Sequence, residues 1–380
     1  MQFSFTDEQE QFRSMIQRFL VDKSPTTEVR RLMESPEGYD RDVWEQLSEE
    51  LALPGIHIPE RYGGAGFGAV ELGIVMEEFG RSLLCAPYFS SSVLAANAIM
   101  NAAKESQKTE LLPDIASGAR LATLAVTEPN GRWDTHGIEL TATPPEDKSE
   151  PEFLLNGVKS FVLDGQIADL LIVVGRRERS SGDKGLSFFA LPANSPGVER
   201  RALETMDATR KLSRIEFHDA KAQLLGRLGA GAAALSRTLD QAAIALANEM
   251  VGGAQALLDS ALSYAQSRMQ FGRAIGSFQA IKHKCADMLL EVELAKSAAY
   301  YAAEAAAEDD PELPSLASLA KACASDAYMS TAANCIQLHG GIGFTWDHDT
   351  HLWFKRAKSS EVLLGDPSYH RELYVQRCEL

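Results

Sequence analysis

A glutamate on an alanine- and glycine-lined helix stripe is a candidate proton acceptor, because burial disfavours the carboxylate and raises its pKa toward that of a working base. Glu249, in LANEMVGGAQ, is such a residue. The plainer reading, which we prefer, is a structural or interface carboxylate. Glu361 and Asp366, in RAKSSEVLLGD, are two further carboxylates beside a glycine. A second group of residues has binding rather than proton-transfer character. Arg268 and Phe271 open SRMQFGRAIGSFQAIKHKCADM, at the end of a long helical pattern and before a glycine turn. Gln337 and Gly341 lie in IQLHGGIGF, where a helix ends in glycines that let another chain or a ligand approach the backbone. Taken singly, each of these stretches reads as helix capping. His339, His348 and His351 match no standard zinc spacing, so no metal is expected.

These residues need elements to hold them. Thr6 and Gln9 form a capping-box pattern, and Phe12, Met15, Ile16 and Phe19 recur on one helical face, so the chain opens with a helix. Helical patterns continue to Arg120, broken by the glycine loop IPERYGGAGFG. Short β-prone runs separated by turn residues follow, among them LATLAVTEP, FLLNGVKSFVLDG, DLLIVVG and SRIEFHD. PPEDKSEPE reads as an exposed, charged loop between two of them. Long alanine- and leucine-rich stretches at 231–267, 278–308 and 314–338, with a shorter one near the end, predict closely packed helices. The expected domains are therefore 1–120 (helical), 121–226 (β) and 227–380 (helical bundle), an α+β chain.

Composition narrows the function. A formal net charge of −16 argues against a phosphate backbone as partner, since nucleic-acid affinity rests on Lys and Arg. The opening MQFSFTDEQEQF lacks the pattern of a secretory leader and no run approaches a membrane span, so a cytoplasmic protein without a membrane partner is expected. Five scattered cysteines, odd in number and without CxxC spacing, read as reduced thiols.

Together, and in this order, the arginine–phenylalanine and glycine segments, PERYGGAG, TEPNG and GVKSFVLDGQIAD resemble the acyl-CoA dehydrogenase family over nearly the whole chain. The resemblance implies an N-terminal α-helical domain, a middle β-barrel-like domain and a C-terminal four-helix bundle. It also implies FAD, an acyl-CoA substrate and an electron-transfer flavoprotein as electron acceptor. Arg268, Phe271, Gln337 and Gly341 match the residues with which that family reaches across a dimer interface to a neighbour's FAD. Thr127 and Phe161 match contacts to the chain's own flavin.

The departures from the pattern are specific. The family's glutamate base belongs either at Leu364 or at Ala242, and neither residue takes a proton; the arginine that helps hold CoA is Ala243. Arg132, Leu163, Asp366 and Ser368 replace further residues on the side of the chain's own flavin. RRER, at 176–179, reads as a solvated turn with room for a CoA phosphate or a protein contact. Retained lending residues beside lost catalytic ones resemble the non-catalytic subunit of the heteromeric (α2β2) steroid side-chain acyl-CoA dehydrogenases of actinobacteria. Such a subunit pairs with a catalytic paralogue, and the assembly oxidises a bulky acyl-CoA to the trans-2-enoyl-CoA. The alternatives are a self-sufficient homotetramer using Glu249, although two helical turns, about 11 Å, separate it from Ala242, and a flavin-free binding or scaffold protein.

Overall fold

A computed structural model describes residues 5–144 and 152–378, so most of the predicted PPEDKSEPE loop, residues 145–151, lies outside the described residues. In chain order the elements are α1 (Asp7–Lys23), α2 (Thr26–Glu34), α3 (Arg41–Glu49), α4 (Ala69–Arg81), α5 (Ala96–Ala102) and α6 (Glu105–Ala116). The strands β1 (Ala122–Ala125), β2 (Thr141–Thr143), β3 (Glu152–Leu163), β4 (Leu170–Arg176), β5 (Leu186–Pro192), β6 (Val198–Leu203) and β7 (Leu212–Leu225) follow. The remainder is α7 (Gly231–Ser267), β8 (Met269–Gln270), β9 (Arg273–Ala274), α8 (Gln279–Ala307), α9 (Leu313–His339), α10 (Thr350–Val362) and α11 (Pro367–Arg377). This is the expected mixed α+β order. No helix among the described residues is long and apolar enough to cross a membrane.

Contacts divide the chain into two compact units, Met1–Arg31 with Gly68–Leu84 and Ala243–Leu380, and Leu32–Phe67 with Cys85–Ala242. The second unit contains the sheet. Strands β4, β2, β3, β7 and β5 pair in that order and β5 pairs back onto β4, closing a barrel, while β1 adds to β4 and β6 to β7. Closure satisfies strand edges that would otherwise be left open. Inside lie Leu140, Leu155, Leu171, Val173, Phe189 and Phe217, all at most 1% exposed. Arg176 departs from the solvated-turn reading of RRER. It ends the buried strand β4 and is itself buried, because its guanidinium donates to the carbonyls of Ile138, Thr135 and Gly182. Only Arg177, Glu178 and Arg179 are exposed.

The first unit is helical. The Thr6–Gln9 capping box starts α1 as the sequence predicts, with each side chain taking the other's backbone N–H. Residues 242–254 of α7 are buried without interruption, so this part of the helix is enclosed on every face. It meets α4 through glycines. A methyl group at Gly80 would lie 1.8 Å from the Glu249 carbonyl oxygen, and one at Gly252 would lie 1.8 Å from that of Glu77. The two backbones approach closely because neither residue has a Cβ. Arg13 of α1 then joins Glu77 at 2.6 Å and Glu78 at 3.0 Å, and the Tyr300 hydroxyl of α8 donates to Glu77 at 2.9 Å.

Gly252→Ala is expected to lose about 1–3 kcal/mol through overpacking of this crossing. Gly341→Ala, where a methyl meets nothing within 4 Å, should stay within about 0.5 kcal/mol of the parent. Denaturant unfolding of both variants checks the contrast.

Candidate functional site

At one end of the helical unit the structure places the candidate flavin-lending residues Arg268, Phe271, Gln337 and Gly341. Helix α7 closes with the Arg268 N–H donating to the Tyr264 carbonyl at 2.8 Å, and β8 turns into β9 through Phe271 and Gly272. Both turn residues have positive φ, 53° and 76°, the two-residue hairpin geometry that matches strand twist. This leaves the Phe271 ring 90% exposed, with Arg268 exposed beside it in sequence. The ring of Tyr264 stacks on that of His339 at 4.2 Å, which joins the hairpin end of α7 to the glycine end of α9. Gln337 is exposed on the last turn of α9, and Gly341 lies in the exposed 3₁₀ turn Gly340–Phe344. Added methyl groups at Gly340 or Gly341 would meet nothing within 4 Å, so a ligand atom can approach that backbone.

The histidines nearby are committed elsewhere. His339 donates its Nδ1–H to the Cys335 carbonyl at 2.8 Å and lies 4.4 Å from the His348 ring. Arg30 inserts a guanidinium among the loop groups, bonding Asp349 at 2.8 Å and reaching His351 Nε2 at 3.4 Å. Burial, then the neighbouring His339, lowers the pKa of His348. Among the described residues no His, Cys, Asp or Glu group is arranged to hold a metal ion.

In the barrel unit, Thr127 and Phe161 come together because the Ser160 N–H donates to the Thr127 carbonyl at 2.8 Å. Lys159, fully buried, fixes this junction by donating to the Val126 carbonyl at 2.8 Å and to Glu128 at 2.7 Å. Glu128 also accepts from the Glu139 and Leu140 N–H groups, so its charge is well spread. Burial, only partly offset by Glu128, pushes the Lys159 ammonium down to about 8. Phe161 has φ 58° and is 45% exposed, whereas Leu163 is buried and presents no side-chain donor. Arg132 is held by Asp134.

The candidate base positions are closed. Ala242 and Ala243 are at most 1% exposed, and Leu364 is 4% exposed with a left-handed backbone, φ 63°. Glu249 is also buried, and its Oε1 accepts from Arg356 Nη1 at 2.6 Å. Glu361 pairs with Lys358, and Asp366 caps α11 by accepting from the Tyr369 N–H at 2.8 Å, with Ser368 exposed just inside that helix. The segment around Leu364 is clamped. Lys321, fully buried, donates to the Glu361 and Gly365 carbonyls at 3.1 Å, and His370 Nε2 donates to the Leu364 carbonyl at 3.1 Å. Lys321, His370, Arg356 and Tyr264 join these segments only in the structure. A lysine in the middle of an otherwise small and apolar helical stretch was the available signal for Lys321.

Models of the acyl-CoA dehydrogenase N-terminal, middle and C-terminal domains match residues 6–119, 123–220 and 229–378. The chain belongs to the acyl-CoA dehydrogenase family. The acyl-CoA dehydrogenase IpdE2 of Mycobacterium tuberculosis is 32% identical over 361 residues, 95% of this chain and 94% of that protein. The ChsE4-ChsE5 complex of Mycobacterium tuberculosis aligns with a TM-score of 0.89 and 25% identity, covering 100% of this chain and 99% of the other. A variant of the Tcur3481-Tcur3483 steroid ACAD aligns with a TM-score of 0.87 and 28% identity, covering 98% of each chain.

Members of this acyl-CoA dehydrogenase family are FAD-dependent flavoproteins. The donor set at the α7–α9 end fits part of that group: a cation suits a pyrophosphate, a bare ring suits an adenine, and the open glycine turn leaves room for both.

Removing one member of a buried ion pair strands the other charge, at about 3–5 kcal/mol. Glu249→Gln and Arg356→Met are each expected to destabilise by that order. The Glu249→Leu, Arg356→Met double variant should recover most of the loss, as read by a double-mutant cycle in denaturant.

His370 makes a pH prediction. Burial, with Lys321 adding to it, pushes its imidazole from 6.5 down to about 3. Between those values the unfolded chain takes up a proton that the native state refuses. This contribution is therefore complete above pH 6.5 and is lost as pH falls toward 3. Stability at pH 5 should be lower than at pH 7 by on the order of 1–2 kcal/mol from this residue. His370→Gln, which can still donate to Leu364, should shrink the difference.

Proposed function

We propose that this chain is the non-catalytic subunit of a heteromeric acyl-CoA dehydrogenase. The observation that carries the reading is that, among the described residues, each candidate base position is aliphatic or already engaged. Ala242 and Leu364 are buried aliphatics, Glu249 is tied to Arg356, Glu361 to Lys358, and Asp366 caps α11. Removing a proton α to a thioester requires a base within about 3 Å of it, and an ion-paired carboxylate inside a closed helix seam is a poor candidate. The lending residues Arg268, Phe271, Gln337 and Gly341 are, by contrast, exposed at one end of the unit and ready for a neighbour.

In the assembly this chain binds and orients. Arg268 would hold the pyrophosphate of the partner's FAD, Phe271 would hold its adenosine part, and Gln337 with Gly341 would supply polar and backbone contacts. The partner supplies the carboxylate that takes the α-proton. When bound, FAD would supply hydride-acceptor chemistry for the β-hydrogen, with an electron-transfer flavoprotein as the electron acceptor. The acyl group is proposed to be bulky and steroid-derived, a reading supported by the likeness to the Tcur3481-Tcur3483 steroid ACAD. The likeness to the ChsE4-ChsE5 complex supports pairing with a different subunit.

A homotetramer using its own flavin is the competing reading, favoured by the intact Lys159–Glu128 anchor beneath Thr127 and Phe161. The FAD content of the protein purified alone separates the two. Well below one FAD per chain, rising on addition of the catalytic paralogue, is the expected result. Arg268→Ala should then weaken flavin retention by the pair about tenfold or more. One FAD per chain without a partner, with turnover lost in a Glu249→Gln variant that still folds and retains its flavin, would establish the homotetramer instead.

A further inference from the structure

The helical unit contains a cavity of about 340 Å³ that involves none of the residues discussed as flavin or base positions. It is walled by the start of α1, by α4, by Asn248 of α7 and by the middle of α8. Its volume falls at the lower end of small-molecule sites. Aromatic rings line one part, where Phe5 meets Tyr300 edge-on at 4.9 Å and Tyr301 lies next in sequence. Val70, Ile74 and Ala303 supply an apolar part.

The polar lining is unequal in a way that selects a ligand. Several of its donors are engaged inside the protein. Lys296 donates to Gln255 at 2.5 Å and to Glu293 at 2.8 Å, Gln9 Nε2 donates to Glu71 at 2.9 Å, and Asn248 Nδ2 donates to the Ile244 carbonyl at 2.9 Å. The Tyr300 hydroxyl donates to Glu77. Burial and that carboxylate raise its pKa, so the phenol stays protonated. Acceptors remain. Asn248 is 1% exposed and keeps its amide oxygen, and the half-buried Glu304 carboxylate lines the same cavity. With Lys296 already paired to Glu293, Glu304 leaves the lining with a net negative charge. Aromatic faces add a further attraction for cations, and Phe5 already carries Arg13 at 4.6 Å.

We propose that this cavity binds a small organic ammonium: a protonated amine with an apolar body, its N–H groups directed to Glu304 and Asn248 and its body held among the tyrosines. A neutral alcohol of the same shape lacks the charge that Glu304 selects, and an anion is repelled.

Isothermal titration of the full chain with 2-phenylethylamine, 2-phenylethanol and phenylacetate tests the site. The expected result is saturable binding of the amine, with the alcohol about tenfold weaker or more, a difference of ~1.4 kcal/mol, and no binding of the acid. Glu304→Gln should weaken the amine by a similar factor while leaving the thermal unfolding midpoint in place, because the residue is only half-buried. Absence of saturable amine binding, equal binding of amine and alcohol, or an unchanged affinity in Glu304→Gln would each overturn the proposal.

Discussion

The helical unit depends on the close crossing of α4 and α7. Where Gly80 faces the Glu249 carbonyl and Gly252 faces that of Glu77, no side chain separates the two backbones. Helices packed this closely leave little freedom to slide or rotate, since interiors are packed like organic solids. The crossing therefore determines where every neighbouring side chain on the two helices points. It places Glu249 inside the seam, sends the Glu77 carboxylate toward Arg13 and Tyr300, and puts Asn248 in the wall of the cavity.

Charge burial decides which of these groups retain chemical freedom. A buried carboxylate without a partner would be costly unless protonated, and such a group is what a general base of raised pKa requires. Arg356 supplies such a partner for Glu249, so the carboxylate that stands alone in the sequence is ion-paired in the structure. In the barrel unit Lys159 and Glu128 work the same way, and their pairing serves geometry, since the bonds they make tie the end of β1 to β3. Lys321 holds the segment after α10 through carbonyl oxygens, and Leu364 thereby keeps a left-handed backbone that leucine disfavours. This held segment carries an aliphatic side chain at position 364, an observation in line with the non-catalytic role proposed for the chain.

Much of this architecture was readable from local rules. The Thr6–Gln9 capping box, the start of α7 and the order of helical, β and helical segments follow from patterns spanning a few to a few tens of residues, and the structure shows them. The glycine turn after α9 was equally legible, because only its own backbone is involved. Arg176 was misread because a run of charges suggests solvent, whereas the barrel end supplies three carbonyls that only an arginine's forked donors satisfy together.

By itself, then, the sequence determined the elements, the fold family and the lack of a carboxylate at positions 242 and 364, since residue identity and short-range periodicity settle all three. Only the tertiary structure decided which group Glu249 meets. Its partner lies 107 residues away in the chain, and no periodicity encodes which cation will meet a buried carboxylate. The same holds for the stacking of Tyr264 on His339 and for the acceptor-rich cavity beside α8. Both arise where elements distant in sequence pack together, and the free energy of such contacts depends on burial and geometry that no local pattern specifies.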